Sequence, residues 1–233
     1  ESYKPDPGTR TLRELLRYRA FLVRERTRIK NAVHALLARG NIDNPYSDLF
    51  GKAGLSYLSD LELPPVRRAA LDGYLNLLSE LSTEIKAAEQ EVGGEFKNSP
   101  QARLLCTIPG VGPLLSLFIL SEIGDISRFP TSRQLSSHAG LVPSTSQSGG
   151  MTRRGRITRQ GSTWLRWALV EAAIHAVGRP GPLRDHYSRL KRKKGNKVAR
   201  VAVARKISTY VFYMLKEGKT YEEVISYQKS DLG

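Results

Sequence analysis

The chain has 233 residues, 40% of them hydrophobic, with a formal net charge of +15 and a pI near 10.1. That length and apolar share can bury one sizeable core or two smaller ones, which excludes a disordered chain. The positive excess goes beyond what solubility needs and points to a polyanionic partner, nucleic acid before a membrane surface.

In chain order, residues 9–39 read as a long helix, with Leu12, Leu15, Leu22, Ile29, Val33 and Leu36 near a 3.5-residue spacing that Arg19 and Arg26 interrupt, and with Gly40 as its stop. A second helix starts after Pro64-Pro65 and carries the heptad Leu71, Tyr74, Leu78, Leu81, Ile85, Ala88, Val92, ended by Gly93-Gly94. This spacing fits an antiparallel hairpin, a coiled-coil dimer and ordinary bundle core alike. A homo-oligomer assembled through a helical arm is expected.

From residue 101 the texture changes to short helices, near 101–106, 113–123, 131–139, 162–178, 183–194 and 197–217, with weak strand signals. The expected fold is mostly α: a helical or coiled-coil arm over 1–98, then a compact multi-helix domain over 99–233. Charge follows the same division. Residues 148–206 hold sixteen Lys/Arg against Glu171 and Asp185, a balance of +14, whereas 43–95 holds ten acids against four bases. Segregation of this strength favours nucleic-acid contact by the second half over a merely solvated face.

The single cysteine, Cys106, sits in an apolar stretch, excludes an internal disulfide and fits a reducing cytoplasm. The N-terminus "ESYKPDPGTR" has no signal-peptide pattern, and its initial Glu suggests a processed or truncated chain. The C-terminal "VAVARKISTYVFYML" is interrupted by Arg205 and Lys206, so no membrane span is expected.

Three segments carry chemistry. "LLCTIPGVGPLLSLFIL", 104–120, resembles a helix-hairpin-helix. There Gly110 and Gly112 permit a tight turn that lets backbone N–H groups and a helix N-terminus face a phosphate; the competing reading is an αα-corner that only packs the core. "SRLKRKKGNKVARVAVARK", 188–206, is the densest positive patch. Its apolar partners Val198, Val201, Val203 and the following Ile207 are expected to face inward, leaving Arg192, Lys193, Lys194, Lys197, Arg200 and Arg205 for phosphates. "PSTSQSGGMTRRGRITRQGS", 143–162, places Ser144, Ser146 and Ser148 ahead of Gly149-Gly150 and then of Arg153, Arg154, Arg156 and Arg159.

A serine hydroxyl becomes nucleophilic with a nearby base or a strongly cationic site, and these arginines, with Arg166 downstream, could clamp phosphate oxygens. Composition alone favours a flexible Ser/Gly/Arg loop that touches nucleic acid, since such loops are common and nucleophiles rare. His34, His138, His175 and His186 lack metal-ligand spacing, and Glu122 with Asp125 reads as a helix end and turn, so no metal site is expected in this chain.

Together, "IPGVGP", "SEIGD", "RFP", "HAGLVPS", Ser-Gly, "GRITRQG" and "LRWAL" make residues 104–173 resemble the C-terminal transposase domain of the IS110/IS116/IS902 insertion-sequence transposases, relatives of the pilin-gene invertase. The segment "RTLRELLRYRAFLVRERTRIKNAVHALLARG" resembles the stretch that joins that family's two halves. The resemblance implies DNA transposition and recombination, with the serine directly before Gly149, Ser148, forming a covalent phosphoserine link to DNA, and with Ser146 and Ser144 as competitors for that role. It further implies an element-encoded guide RNA that chooses target and donor. In the family, four acidic residues of an N-terminal domain resembling Holliday-junction resolvases bind Mg²⁺; that domain would precede Thr9. This chain alone is therefore expected to bind nucleic acid with little or no strand transfer.

Overall fold

The computed structural model describes residues 3–148 and 151–230; the side chains of 145–148, 151–154 and 228–230 lie outside the described ones. Contacts divide the chain into two units, Arg17–Glu91 and a larger one made of Glu1–Leu16 with Val92–Gly233. The division falls inside helices α1 (Pro7–Arg39) and α3 (Pro65–Lys97), not at the expected 98/99 boundary, because the two ends of the arm pack with the second half of the sequence.

In the smaller unit, Val33, Leu36 and Leu37 of α1 pack with Leu49, Leu58 and Leu71, and Leu22 packs with Ile85 and Ala88. These pairings run in opposite directions along the two helices, so the heptad residues are buried within one chain as an antiparallel hairpin. Arg19 pairs with Glu89 at 2.5 Å, and the Tyr18 hydroxyl donates to Glu84 at 3.2 Å along the same seam. A helix without a sequence signal, α2 (Lys52–Asp60), covers the hairpin's end. Its last carbonyls, those of Leu58 and Leu61, accept from the Arg68 guanidinium at 2.9 and 3.1 Å.

α1 ends at Arg39 with Gly40 just past it, as expected, whereas the expected stop of α3 is corrected. At the end of α1 the left-handed residue is Asn41, φ 53°, not Gly40; Asn41 N–H donates to the Ala38 carbonyl and Ile42 N–H to that of Leu37, a paired C-terminal cap sealed by Ile42 against the core. Gly93-Gly94 do not stop α3. Glycine inside a helix costs about 1 kcal/mol relative to alanine, but buried Val92 holds the helix to its core. The stop comes at Ser99-Pro100, where the residue before proline is forced extended, φ −110°, ψ 99°, and its hydroxyl caps Ala102.

The larger unit contains α4 (Pro100–Leu105), α5 (Pro113–Ile123), α6 (Ser132–His138), the strands β1 (Pro143–Ser148) and β2 (Met151–Ile157), α7 (Thr163–Ala176), α8 (Pro182–Glu217) and α9 (Tyr221–Ser230), with a short 3-10 turn at Ile126–Arg128. The chain is mostly helical. Its core joins Leu117, Phe118, Ile119 and Ile123 of α5 to an alanine-rich face of α7, Ala168, Ala172, Ala173 and Ala176, and to Val203, Ile207, Val211 and Met214 of α8. Small side chains on α7 let its neighbours come close. Phe118 stacks on Trp164 with ring centroids 5.3 Å apart and meets Trp167 edge-on.

The serine segment is corrected from loop to hairpin: β1 and β2 pair antiparallel. Between Pro143↔Ile157 and Thr145↔Arg154 the register slips by one residue, so Gly155 and Arg156 bulge opposite Ser144. α8 breaks at Gly195, φ 79°, ψ 168°, a left-half conformation that suits glycine.

Candidate functional site

The basic Ser/Arg hairpin stands on a base built from two backbone segments that precede β1 and follow β2. Ser162 N–H donates to the His138 carbonyl at 2.8 Å, Arg159 N–H to Gly140 at 3.2 Å and Thr158 N–H to Val142 at 2.9 Å. Glycine is required where the segments touch: Gly140 and Gly161 both have positive φ, and a Cβ on either would collide with main chain of the opposite segment. A two-stranded hairpin is marginal by itself. Its attachment to a packed core through this base holds it in place.

The base is itself tied to buried polar groups. Glu122, at the end of α5 and 5% exposed, accepts from the Ser162 hydroxyl at 2.9 Å, while that hydroxyl caps α7 by accepting from Leu165 N–H at 3.0 Å. Arg13 donates to the Ser121 and Glu122 carbonyls at 2.6 and 3.2 Å, satisfying the open C-terminus of α5. Arg128 lies over the Tyr3 and Phe129 rings at 4.1 and 4.5 Å. Because a guanidinium can only donate, its 3.1 Å contact to His138 Nε2 makes that nitrogen an acceptor, and the other ring nitrogen donates to the Glu122 carbonyl. His138 is therefore held as the neutral imidazole.

This geometry has a pH consequence. Burial, then the Arg128 charge, push the His138 pKa below its ordinary 6.5, and burial with Lys206 and Arg189 does the same to His186. The unfolded chain takes up these protons near pH 6.5 and the folded chain only at lower pH, so stability is full above pH 6.5 and declines as pH falls below it. Thermal melts are expected to give a lower Tm at pH 5.5 than at pH 7.5, with a smaller drop for His138→Gln. An unchanged drop in that variant would assign the effect elsewhere.

The remaining candidate residues are dispersed. The Ser144 hydroxyl donates to the Arg156 carbonyl at 3.0 Å, across the bulge. Arg156 and Arg159 are exposed, Arg159 with φ 56°. The side chains of Ser146, Ser148, Arg153 and Arg154 lie outside the described residues; the backbone register sets Ser146 opposite Arg153 and Ser148 opposite Met151. Arg166 donates to the Ala139 and Arg159 carbonyls at 3.2 and 3.1 Å, so its guanidinium is engaged in the base. Gly110, φ 88°, is packed against the Ala172–Ala176 turn of α7, while Gly112 begins α5 with nothing within 4 Å of where a Cβ would stand.

Gly112, Pro113, Leu114 and Leu115 line an open recess of about 410 Å³ together with His175 and Arg179. First-turn N–H groups there have no helical partner, and Arg179 adds a charge that sequence reasoning did not single out. On α8, every residue from 191 to 198 is exposed, including Arg192, Lys193, Lys194 and Lys197. Val198 is 52% exposed, contrary to its expected inward position, because the break at Gly195 turns this stretch away from the core. Arg200 is half-buried and its Nε has no partner. Among the described residues no group of three or more His, Cys, Asp or Glu side chains is placed to hold a metal ion, and no helix is long and apolar enough to cross a membrane.

Arg13 was missed because its partner is distant in sequence, Glu122 lying 109 positions away. No local pattern encodes such a pairing.

Residues 102–189 match the family model described as Transposase IS116/IS110/IS902 family. The chain is 31% identical over 146 residues to an insertion element IS116 uncharacterized 44.8 kDa protein of Streptomyces clavuligerus, covering 62% of this chain and 36% of that protein. It is 28% identical over 214 residues to a transposase for insertion sequence element IS1328 of Yersinia enterocolitica, covering 90% and 64%. It is 33% identical over 128 residues to a pilin gene-inverting protein of Moraxella bovis, covering 54% and 40%. The chain thus spans between about a third and just under two thirds of these relatives' length.

Proposed function

We propose that this chain, whose residues 102–189 match the IS116/IS110/IS902 transposase family model, is the DNA-handling part of a transposase or site-specific recombinase, with Ser148 as its nucleophile. The observation that carries the reading is the position of the Ser/Arg segment inside that domain, as a paired hairpin on a hydrogen-bonded base. The Ser148 oxygen would bond to a DNA phosphorus and lose its proton as a bridging P–O bond breaks, leaving a phosphoserine link and a strand ending in a hydroxyl. Arg153, Arg154, Arg156 and Arg159 would stabilise the charge that develops on the phosphate oxygens.

Backbone phosphates would be held by the exposed Arg192, Lys193, Lys194 and Lys197, by Arg200, and by the Gly112 end of α5 beside Arg179. A guide RNA is the second polyanion in this reading, and the charge of the 148–206 segment suits two such partners. A Mg²⁺ requirement would belong to the acidic domain that the family resemblance implies, and no step here is routed through a metal. Since the heptad seam is filled within one chain, assembly of copies through the arm would use its other surfaces.

The full-length protein, incubated with its DNA and guide RNA and resolved under denaturing conditions, is expected to yield protein covalently joined to DNA. Tight binding with no adduct would instead support a non-catalytic helix-hairpin-helix module, which the sharp turn at Gly110 favours. A second expectation concerns α8. Replacing Arg192, Lys193 and Lys194 by glutamine should weaken binding across sequences and flatten the slope of log affinity against log salt by about 2.7 if each meets one phosphate. An unchanged slope would remove this surface from the interface.

A further inference from the structure

Glu122 is a buried carboxylate that the proposed chemistry does not use. Buried carboxylates are tolerated when paired and hydrogen-bonded, and this one has both kinds of partner. One side-chain oxygen accepts from Ser162 and the other lies 4.0 Å from Arg13 Nε. Its main-chain carbonyl accepts from Arg13 and from the His138 ring.

The Ser162 hydroxyl has a single proton. Giving it to Glu122 leaves a lone pair directed to Leu165 N–H, so the carboxylate also orients the cap of α7. Through its side chain Glu122 reaches the segment leaving the hairpin, and through its carbonyl it reaches the segment entering it. Those segments are joined to each other by the Ser162 to His138 bond.

We propose that Glu122 is the positioning residue of the serine hairpin, fixing through Ser162 and His138 the angle at which β1 and β2 leave the core. The proposal rests on the reading of Ser148 as nucleophile. Lever length makes the effect large. Six residues of β1 at about 3.3 Å each span about 20 Å, so a tilt of about 3° at the base displaces the tip by about 1 Å. A misplacement of that size costs about 10²-fold in rate.

The test uses the full-length protein with saturating DNA and guide RNA, comparing Glu122→Ala with Glu122→Gln, which keeps an oxygen acceptor for Ser162. Three quantities are read: the single-turnover rate of adduct formation, the DNA Kd, and native-state hydrogen exchange at the Thr158, Arg159 and Ser162 amides against α7 and α8 core amides. For Glu122→Ala we expect about 10²-fold slower adduct formation at unchanged Kd, with at least about tenfold faster exchange confined to the base amides. Glu122→Gln should recover most of the rate. A full rate in Glu122→Ala, or faster exchange spread evenly through α7 and α8, would overturn the proposal. If the unmodified protein forms no adduct, the Ser148 reading fails. The exchange pattern then judges Glu122 alone, with localised change supporting its hold on the hairpin and no change refuting it.

Discussion

Ser148→Ala in the full-length protein is expected to lower covalent protein–DNA formation by on the order of 10³-fold or more while leaving DNA affinity unchanged, as loss of a nucleophile does. Three serines compete for this role, and the hairpin separates them. Ser144 sits beside the bulge, where its hydroxyl donates to the Arg156 carbonyl and occupies the space that a Cβ on Gly155 would need. Ser144→Ala is therefore expected to disturb the bulge and slow the reaction modestly without abolishing it. Ser146 pairs in register with Arg153, inside the ladder, whereas Ser148 is the last paired residue of β1. Denaturing gels on the three alanine variants decide the matter: an adduct that survives Ser148→Ala and disappears in Ser146→Ala would move the nucleophile.

Gly110→Ala is expected to cost about 3 kcal/mol or more and to lower Tm by roughly 6–12 °C, combining a forbidden backbone region with overpacking. Its φ is 88°, and an added Cβ would lie 2.5 Å from the Ala176 nitrogen and even closer to the Ala172 carbonyl oxygen, both main-chain atoms that cannot swing aside. Gly112→Ala is the matched comparison. It has φ −100° and nothing within 4 Å, so its stability should stay within about 0.5 kcal/mol of the parent. The pair also separates two roles of one motif. Gly110 is required by the closeness of α7, whereas any phosphate contact at this turn falls to the Gly112 end of α5. Equal melting curves for the two variants would refute this division.

Several elements were legible in the sequence because their signals are local. The helices near 113–123 and 131–139 follow from apolar periodicity between proline and glycine punctuation, and the break in α8 follows from the glycine of "KKGNK". The arm's heptad identified the residues that are buried but left their partner open. By contrast, Gly93-Gly94 misled as a stop because burial of Val92 outweighs glycine's backbone cost. The strands β1 and β2 were invisible since Ser, Thr, Gln and Arg carry no apolar alternation.

For the candidate site the division is similar. The family resemblance of the "HAGLVP" and "GRITRQG" flanks marked Ser148 and its neighbouring arginines, and charge alone marked residues 148–206 as a polyanion surface. Only the tertiary structure decided that Arg166 clamps the hairpin base, that Ser144 is engaged by Arg156, and that Glu122 and Arg13 belong to the site. Composition, periodicity and glycine spacing are properties of neighbours along the chain, so a sequence states them directly. Which donor satisfies which buried acceptor depends on residues brought together across more than a hundred positions, and only packing of the core around α5 and α7 settles that.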